Sequence, residues 1–305
     1  LYPLLVRGVS TVLPIGTFEA ALLVSVLSCL AALILVHRLA TEVAGPAVAR
    51  RATFYLLAFP TGFYLAAAYN ESLFIALVAA SLYCMRRGSW WWAGMWAAYA
   101  SATRLAGVLL GVVFAFEYLR QKGFSPRRIR FDALAIGLVP TGILMYAWYC
   151  ARVYGDPLHF LEAQRHWFRD GYQPPWTTVW QVGNLIADYP PLLNPDTVRN
   201  VINLTTALGV LALLVLALVG PWRLGREHAY MVLFAAMVIM LPMVNPIRHL
   251  WPLSSTWRFA LECLPVFLVL AKMGRNYRFD RIYLASALAL QGIMVVAFVQ
   301  GRFVA

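Results

Sequence analysis

The chain has 305 residues, 62% of them apolar and only 12% charged, with a mean hydropathy of +0.69. An ordinary soluble domain carries about 45–50% apolar and about 25% charged residues, so that class is excluded. The net charge of +12 raises nucleic acid as a partner, but its distribution along the chain is topological.

Leu1 to Gly16 reads as the aromatic and proline-rich end of a loop, without signal-peptide features and opening on Leu rather than Met. Ten apolar segments follow: 17–40, 52–68, 71–85, 90–103, 105–119, 131–152, 198–220, 229–244, 257–273 and 281–300. A helix needs about 20 residues to cross a hydrocarbon core. The shorter segments must therefore be tilted, wrapped in protein, or end at a polar cavity. The reading is an all-α polytopic membrane protein with about ten transmembrane or part-spanning helices.

Sixteen of the 25 Lys and Arg fall in one set of breaks: Arg38, Arg50 and Arg51; Arg86 and Arg87; Arg120 to Arg130; Arg223 and Arg226; and Lys272 to Arg281. Nine fall in the alternate set, and the acids divide five to eight. The positive-inside rule puts the first set in the cytoplasm, and no nucleic acid is needed to explain the charge. Trp90, Trp91 and Trp92 are expected at the inner interface, Trp251 and Trp257 at the outer one. Cys29, Cys84, Cys150 and Cys263 lie in apolar segments without C-x-x-C spacing, which argues against disulfides and metal.

The polar breaks converge on the outer side. Between two short apolar segments stands Ala68-Tyr69-Asn70-Glu71-Ser72. A charged group at mid-membrane costs about 2.5–3.5 kcal/mol on insertion scales, so Glu71 is a functional candidate. It also suits the first turn of a helix with Asn70 as N-cap. Asn70-Glu71-Ser72 matches a glycosylation sequon, but a hinge at membrane level is a poor acceptor. In Ser101-Ala102-Thr103-Arg104, Arg104 is far from either basic cluster. Its partner is an anion such as phosphate or, alternatively, Glu71.

The loop over 153–197 carries Asp156, His159, Gln164 and Trp167, then Trp176 and Trp180. Such a set suits a sugar's apolar face and hydroxyls, or an interfacial helix, and Asp156-Pro157 suits a turn. Arg248, His249 and Arg258 could grip a lipid phosphate, while Arg258 and Glu262, at i and i+4, could simply pair. D-x-D, P-loop, H-E-x-x-H and G-x-S-x-G motifs are absent.

Taken together, Phe59-Pro60, Ala68-Tyr69-Asn70-Glu71-Ser72-Leu73-Phe74, Thr103-Arg104, Tyr154-Gly155-Asp156-Pro157-Leu158 with Gln164 and Trp167, and Trp257-Arg258-Phe259 resemble the bacterial relatives of the second GPI mannosyltransferase, the PIG-V type. That family belongs to the GT-C integral membrane glycosyltransferases. The resemblance implies a GT-C-like bundle forming one transmembrane domain over 1–305, and an inverting transfer of a hexose, mannose in the family, from a polyprenyl-phosphate-linked donor to a lipid or glycan acceptor. The transfer would take place on the outer face of a bacterial plasma membrane, with no cofactor or metal.

The family's catalytic Asp lies in the first outer loop, just before a segment like Leu1-Tyr2-Pro3-Leu4-Leu5. The expectation is therefore an N-terminally truncated chain whose first span and first outer loop precede Leu1. The expected site places Glu71 in a supporting role. Arg104, Arg258 and Arg248 would bind the donor phosphate, and Tyr69, Asn70, Asp156, Gln164 and Trp167 the sugar or acceptor. Trp257-Arg258-Phe259 replaces the family's Pro-Arg-Tyr and so lacks its tyrosine hydroxyl. Two rival readings are a transporter or lipid flippase, whose intramembrane Glu and Arg would line a path, and a non-catalytic partner subunit.

Overall fold

The structure is a computed structural model that describes residues 1–166, 171–188, 194–247 and 250–301, with 163–166 described by their backbone alone. Among these residues the secondary structure is entirely helical. The α-helices in chain order are α1 (Tyr2–Val12), α2 (Thr17–Ala44), α3 (Pro46–Ala58), α4 (Glu71–Arg86), α5 (Trp90–Thr103), α6 (Leu110–Gln121), α7 (Thr141–Tyr154), α8 (His159–His166), α9 (Pro175–Asp188), α10 (Pro195–Leu218), α11 (Ala229–Val244), α12 (Thr256–Ala260), α13 (Leu264–Met273) and α14 (Tyr277–Val299). Five helical stretches are long and apolar enough to cross a membrane: Thr17–Ala44, Phe131–Tyr154, Pro195–Leu218, Arg226–Val244 and Tyr277–Val299. The protein is an integral membrane protein.

The short helices survive because protein surrounds them. α4, at 16 residues, is buried on nearly every side, packed by α2, α5 and α6, so its backbone meets no lipid. Ser81 Oγ donates to Ala93 O (2.9 Å), fastening it to α5. The α5–α7 contact depends on Gly142, where a Cβ would collide with the backbone of Ala98 and Ala102.

The structure revises several sequence expectations. Leu1 to Gly16 is mostly helix rather than loop: Pro3 is tolerated in the first turn, and Val6 is buried against Ala20 and Val24. Segment 52–68 is not continuous. α3 starts earlier, at Pro46, and stops at Ala58 because Phe59 precedes Pro60 and is held extended (φ −57°, ψ 144°). Of the expected interfacial tryptophans, Trp90 turns inward against Phe114 and Tyr118, leaving Trp91 and Trp92 exposed.

The predicted basic breaks gather at one end of the bundle. There Arg87 pairs with Glu42 (2.8 Å), Gln121 donates to Met85 O, Arg51 reaches Ala271 O and Asp280, and Lys272 reaches Arg223 O. The breaks at Tyr69 and Arg104 lie at the opposite end, where Ser25 Oγ donates to Tyr69 O (2.9 Å) and Ser72 Oγ to Ser25 O (3.0 Å).

Replacing Gly142 with Val should overpack the α5–α7 contact and cost about 1–3 kcal/mol. Gly137→Ala, at a position open to space, should be near neutral. Thermal unfolding in detergent micelles distinguishes the two.

Candidate active site

The site is built from helix ends. Once α3 breaks, Gly62 N–H donates to Phe59 O (2.7 Å). The carbonyls freed by the break are satisfied from another helix: Gln291 Nε2 of α14 donates to Leu57 O (2.8 Å) and Phe59 O (3.0 Å). Thr61 Oγ1 donates to Trp257 O (3.0 Å), bringing the hinge against α12. α12 itself starts after Ser255, which adopts a left-handed conformation (φ +68°) rare for a non-glycine residue. Strain of this kind is concentrated at functional sites.

Four charges meet there. Glu71, in the first turn of α4, is wholly buried, and its Oε1 accepts from both Nε (3.0 Å) and Nη2 of Arg258. Arg104, extended at the end of α5 (φ −147°, ψ 144°), places Nη1 3.6 Å from Glu71 and 2.5 Å from Glu262. Glu262 is also fully buried, in the turn between α12 and α13.

Aromatic rings flank both cations. Tyr64 and Tyr69 lie 4.8 and 5.1 Å from Arg258, and Phe74 and Phe259 lie 5.5 and 5.2 Å from Arg104. The carboxylate side chains have no exposure, whereas Arg104 and Arg258 keep 15% and 17%. The cations thus form the open layer and the acids the layer behind.

These contacts decide between the pairings left open by the sequence. Arg258 does not pair with Glu262 one turn away. It takes Glu71, and Glu262 takes Arg104. Asn70 forms no side-chain cap on α4; its amide reaches Thr103 O at 3.5 Å, linking the two breaks weakly. Glu262, Tyr64, Phe74 and Phe259 join the cluster without having been named as site residues. For Glu262 the signal was present, a lone acid in an apolar run, but helical spacing suggested the wrong partner.

Asp156 lies apart from the cluster, at the α7–α8 junction, where its Oδ1 accepts from Leu158 N–H (2.9 Å) in a local turn. Trp167, Arg248 and the side chain of Gln164 lie outside the described residues. The 153–197 stretch contributes α9, fastened to α11 by Thr178 Oγ1 to Met243 O (2.6 Å) and, just before it, Gln173 N–H to Val244 O (2.9 Å). Trp176 and Trp180 face outward. Beside α9 opens a cavity of about 610 Å³ lined by Gln173, Gln181, Asn184, Asp188 and Ile247.

No protein-family model matches the chain, and no curated protein matches it. Among solved structures the fold is similar to that of ArnT from Cupriavidus metallidurans, crystallised bound to undecaprenyl phosphate. The TM-score is 0.62 at 15% sequence identity, over 98% of this chain and 53% of that one. The chain therefore has a GT-C-like fold and spans about half the length of that structure.

Removing one member of a buried ion pair strands its partner's charge and costs about 3–5 kcal/mol. Glu71→Ala should therefore lower the unfolding temperature sharply. Glu42→Ala, at the exposed Arg87 pair, should hardly move it. Unfolding midpoints of the two variants test the contrast.

Proposed function

We propose that the protein is a glycosyltransferase that moves a hexose from a polyprenyl-phosphate-linked donor to a lipid or glycan acceptor, with inversion at the sugar. The sugar is mannose and the family the PIG-V type, by the sequence resemblance. The face is the outer one of a bacterial plasma membrane, since the site lies at the end of the bundle opposite the basic breaks.

One observation carries this reading: two arginines form the open edge of a buried cluster whose acids stand behind them. A polyprenyl phosphate is already a competent leaving group. Its transfer needs cations where phosphate charge develops, held in place beforehand in a water-poor site. Guanidinium supplies such cations and stays charged at any working pH. The likeness to ArnT, crystallised with undecaprenyl phosphate, supports a polyprenyl phosphate as the donor's carrier.

In this proposal Arg104 and Arg258, with Arg248, hold the donor phosphate. Glu71 fixes Arg258 through two hydrogen bonds to one oxygen. Tyr69 and Asn70 at the hinge, with Asp156, Gln164 and Trp167 of the outer loop, bind sugar and acceptor. No metal enters the reaction, and the partners are membrane lipids and glycans rather than nucleic acid.

The test is hexose transfer from polyprenyl-phosphate-mannose in membranes containing the protein, with chelator present. Transfer is expected to survive chelation. Arg104→Ala and Arg258→Ala are each expected to lower it by roughly 10²-fold or more, as removal of a charge-stabilising donor does. Near-normal transfer by both Glu71→Gln and Arg104→Ala would overturn the assignment. Lipid-linked sugar crossing the bilayer without a new glycosidic product would favour the flippase.

A further inference from the structure

The four described charges of the cluster balance, two carboxylates against two guanidiniums, while Arg248, which the donor-site reading adds, lies outside the described residues. A bound phosphodiester adds a negative charge to a buried and balanced group. Such an excess is costly in a poorly solvated site and is relieved most readily by a proton on one of the carboxylates.

The two carboxylates are not equivalent. Glu71 Oε1 receives Nε and Nη2 of Arg258 and has Arg104 at 3.6 Å, so protonating it would loosen both cations. Glu262 has one ionic contact, Arg104 at 2.5 Å. Among the described residues, no hydrogen-bond donor is aligned with either of its oxygens. The charged groups facing it are Arg104 at the end of α5, Glu71 on α4 and Arg258 on α12. The neighbouring Cys263 thiol points elsewhere, toward the carbonyls of Ala235 and Phe259. Apart from Glu71 at 3.6 Å, Arg104's other supports are ring faces rather than hydrogen bonds.

We propose that Glu262 takes up one proton when an anionic phosphodiester binds at Arg104 and Arg258, and that Arg104 then exchanges its carboxylate for the ligand's phosphate. This rests on the donor-site reading above. The proton comes from solvent and adds to a lone pair of the Glu262 carboxylate, and no carbon–oxygen bond changes in this step. During transfer, the acceptor's hydroxyl oxygen bonds the sugar's anomeric carbon and releases its proton to solvent, while the bond from that carbon to the phosphate oxygen breaks and its electron pair stays on the phosphate oxygen. The phosphate then carries a second charge, and the neutral Glu262 carboxyl leaves Arg104 free to meet it. Glu262 is a positioning residue, acting on the ligand through Arg104.

The experiment is calorimetric titration of the purified protein in micelles with a short-chain isoprenyl phosphodiester of a hexose, a monoanion throughout the range used. It is run in buffers of different ionisation enthalpy from about pH 6 to about pH 9. The expected result is uptake of about one proton per ligand where Glu262 is ionised in the free protein. Across that range affinity should fall by about tenfold per pH unit, because the bound state holds the extra proton. Glu262→Gln, a permanently neutral mimic, should bind with no uptake and a flat pH profile, and about tenfold or more tighter than the natural protein at the alkaline end.

Binding by the natural protein without proton uptake overturns the inference and leaves the donor site standing. So does uptake that persists in Glu262→Gln, or a folded Glu262→Gln that no longer binds. If Glu262→Gln does not fold, the natural protein's uptake and slope decide alone. No binding by the natural protein overturns the donor-site reading and the inference together.

Discussion

Burying Glu71 and Glu262 completely is the constraint from which much of this architecture follows. A carboxylate removed from water must be met by a cation at close range, or it will not stay ionised. Each of the four charges stands at a discontinuity in the helices: Glu71 where α4 begins, Arg104 where α5 ends, Arg258 on the one-turn α12, and Glu262 in the turn that follows it. Here the four side chains reach one point from helix ends and turns rather than from the faces of continuous helices. The broken α3, the short α4 and α5 and the left-handed Ser255 are the geometric means of bringing them together.

The two ends of the bundle use charge differently. At the basic end Arg87 meets Glu42 near solvent, and such pairs contribute little individually and weaken with salt. Glu117 is the exception there. It is buried, but Nε and Nη2 of Arg120 and the amide of Gln121 satisfy both its oxygens. At the opposite end, among the described residues, Glu71 Oε2 and Glu262 Oε2 meet no donor, and Glu262 Oε1 has only its ionic contact with Arg104. A cluster serving only as a structural tie would be expected to resemble the first. The second retains acceptor capacity on its acids and exposure on its cations.

Much of this was legible in the sequence. Nine of the ten apolar segments correspond to helices or helix pairs with modest boundary shifts, because long apolar blocks and their charged breaks are a strong signal in a membrane protein. The tenth, 52–68, failed where Pro60 imposed a break that composition alone does not reveal. α1 was hidden because Pro3 resembles loop chemistry although a helix accepts it in its first turn. Glu71, Arg104 and Arg258 stood out as charges in apolar runs and proved to be neighbours. The Arg104–Glu71 pairing was among the alternatives the sequence offered, but the Arg258–Glu71 and Arg104–Glu262 pairings were not, because helical spacing offers only neighbours at i+3 and i+4, whereas Arg258 and Glu71 are 187 residues apart. The place of Tyr64, Phe74 and Phe259 beside the two cations could not be read among 17 Phe and 15 Tyr, because a ring over a cation and a ring in the core look alike in a sequence.

α14 meets the rest of the bundle along a narrow strip and otherwise faces outward. That strip includes Gln291, whose amide holds the carbonyls at the α3 break, and Phe298, which packs on Phe63, Tyr64 and Tyr69. Tyr64 and Tyr69 are the rings that flank Arg258. The apolar run of α14 from Ile282 to Val299 is about 27 Å long, close to the roughly 30 Å of a typical hydrocarbon core, so the helix spans with little to spare. Any shift of the helix in its seat reaches the hinge and the arginine's aromatic walls through these direct contacts. The seat of one peripheral helix is thereby tied, through one amide and one phenyl ring, to the geometry of the charged cluster.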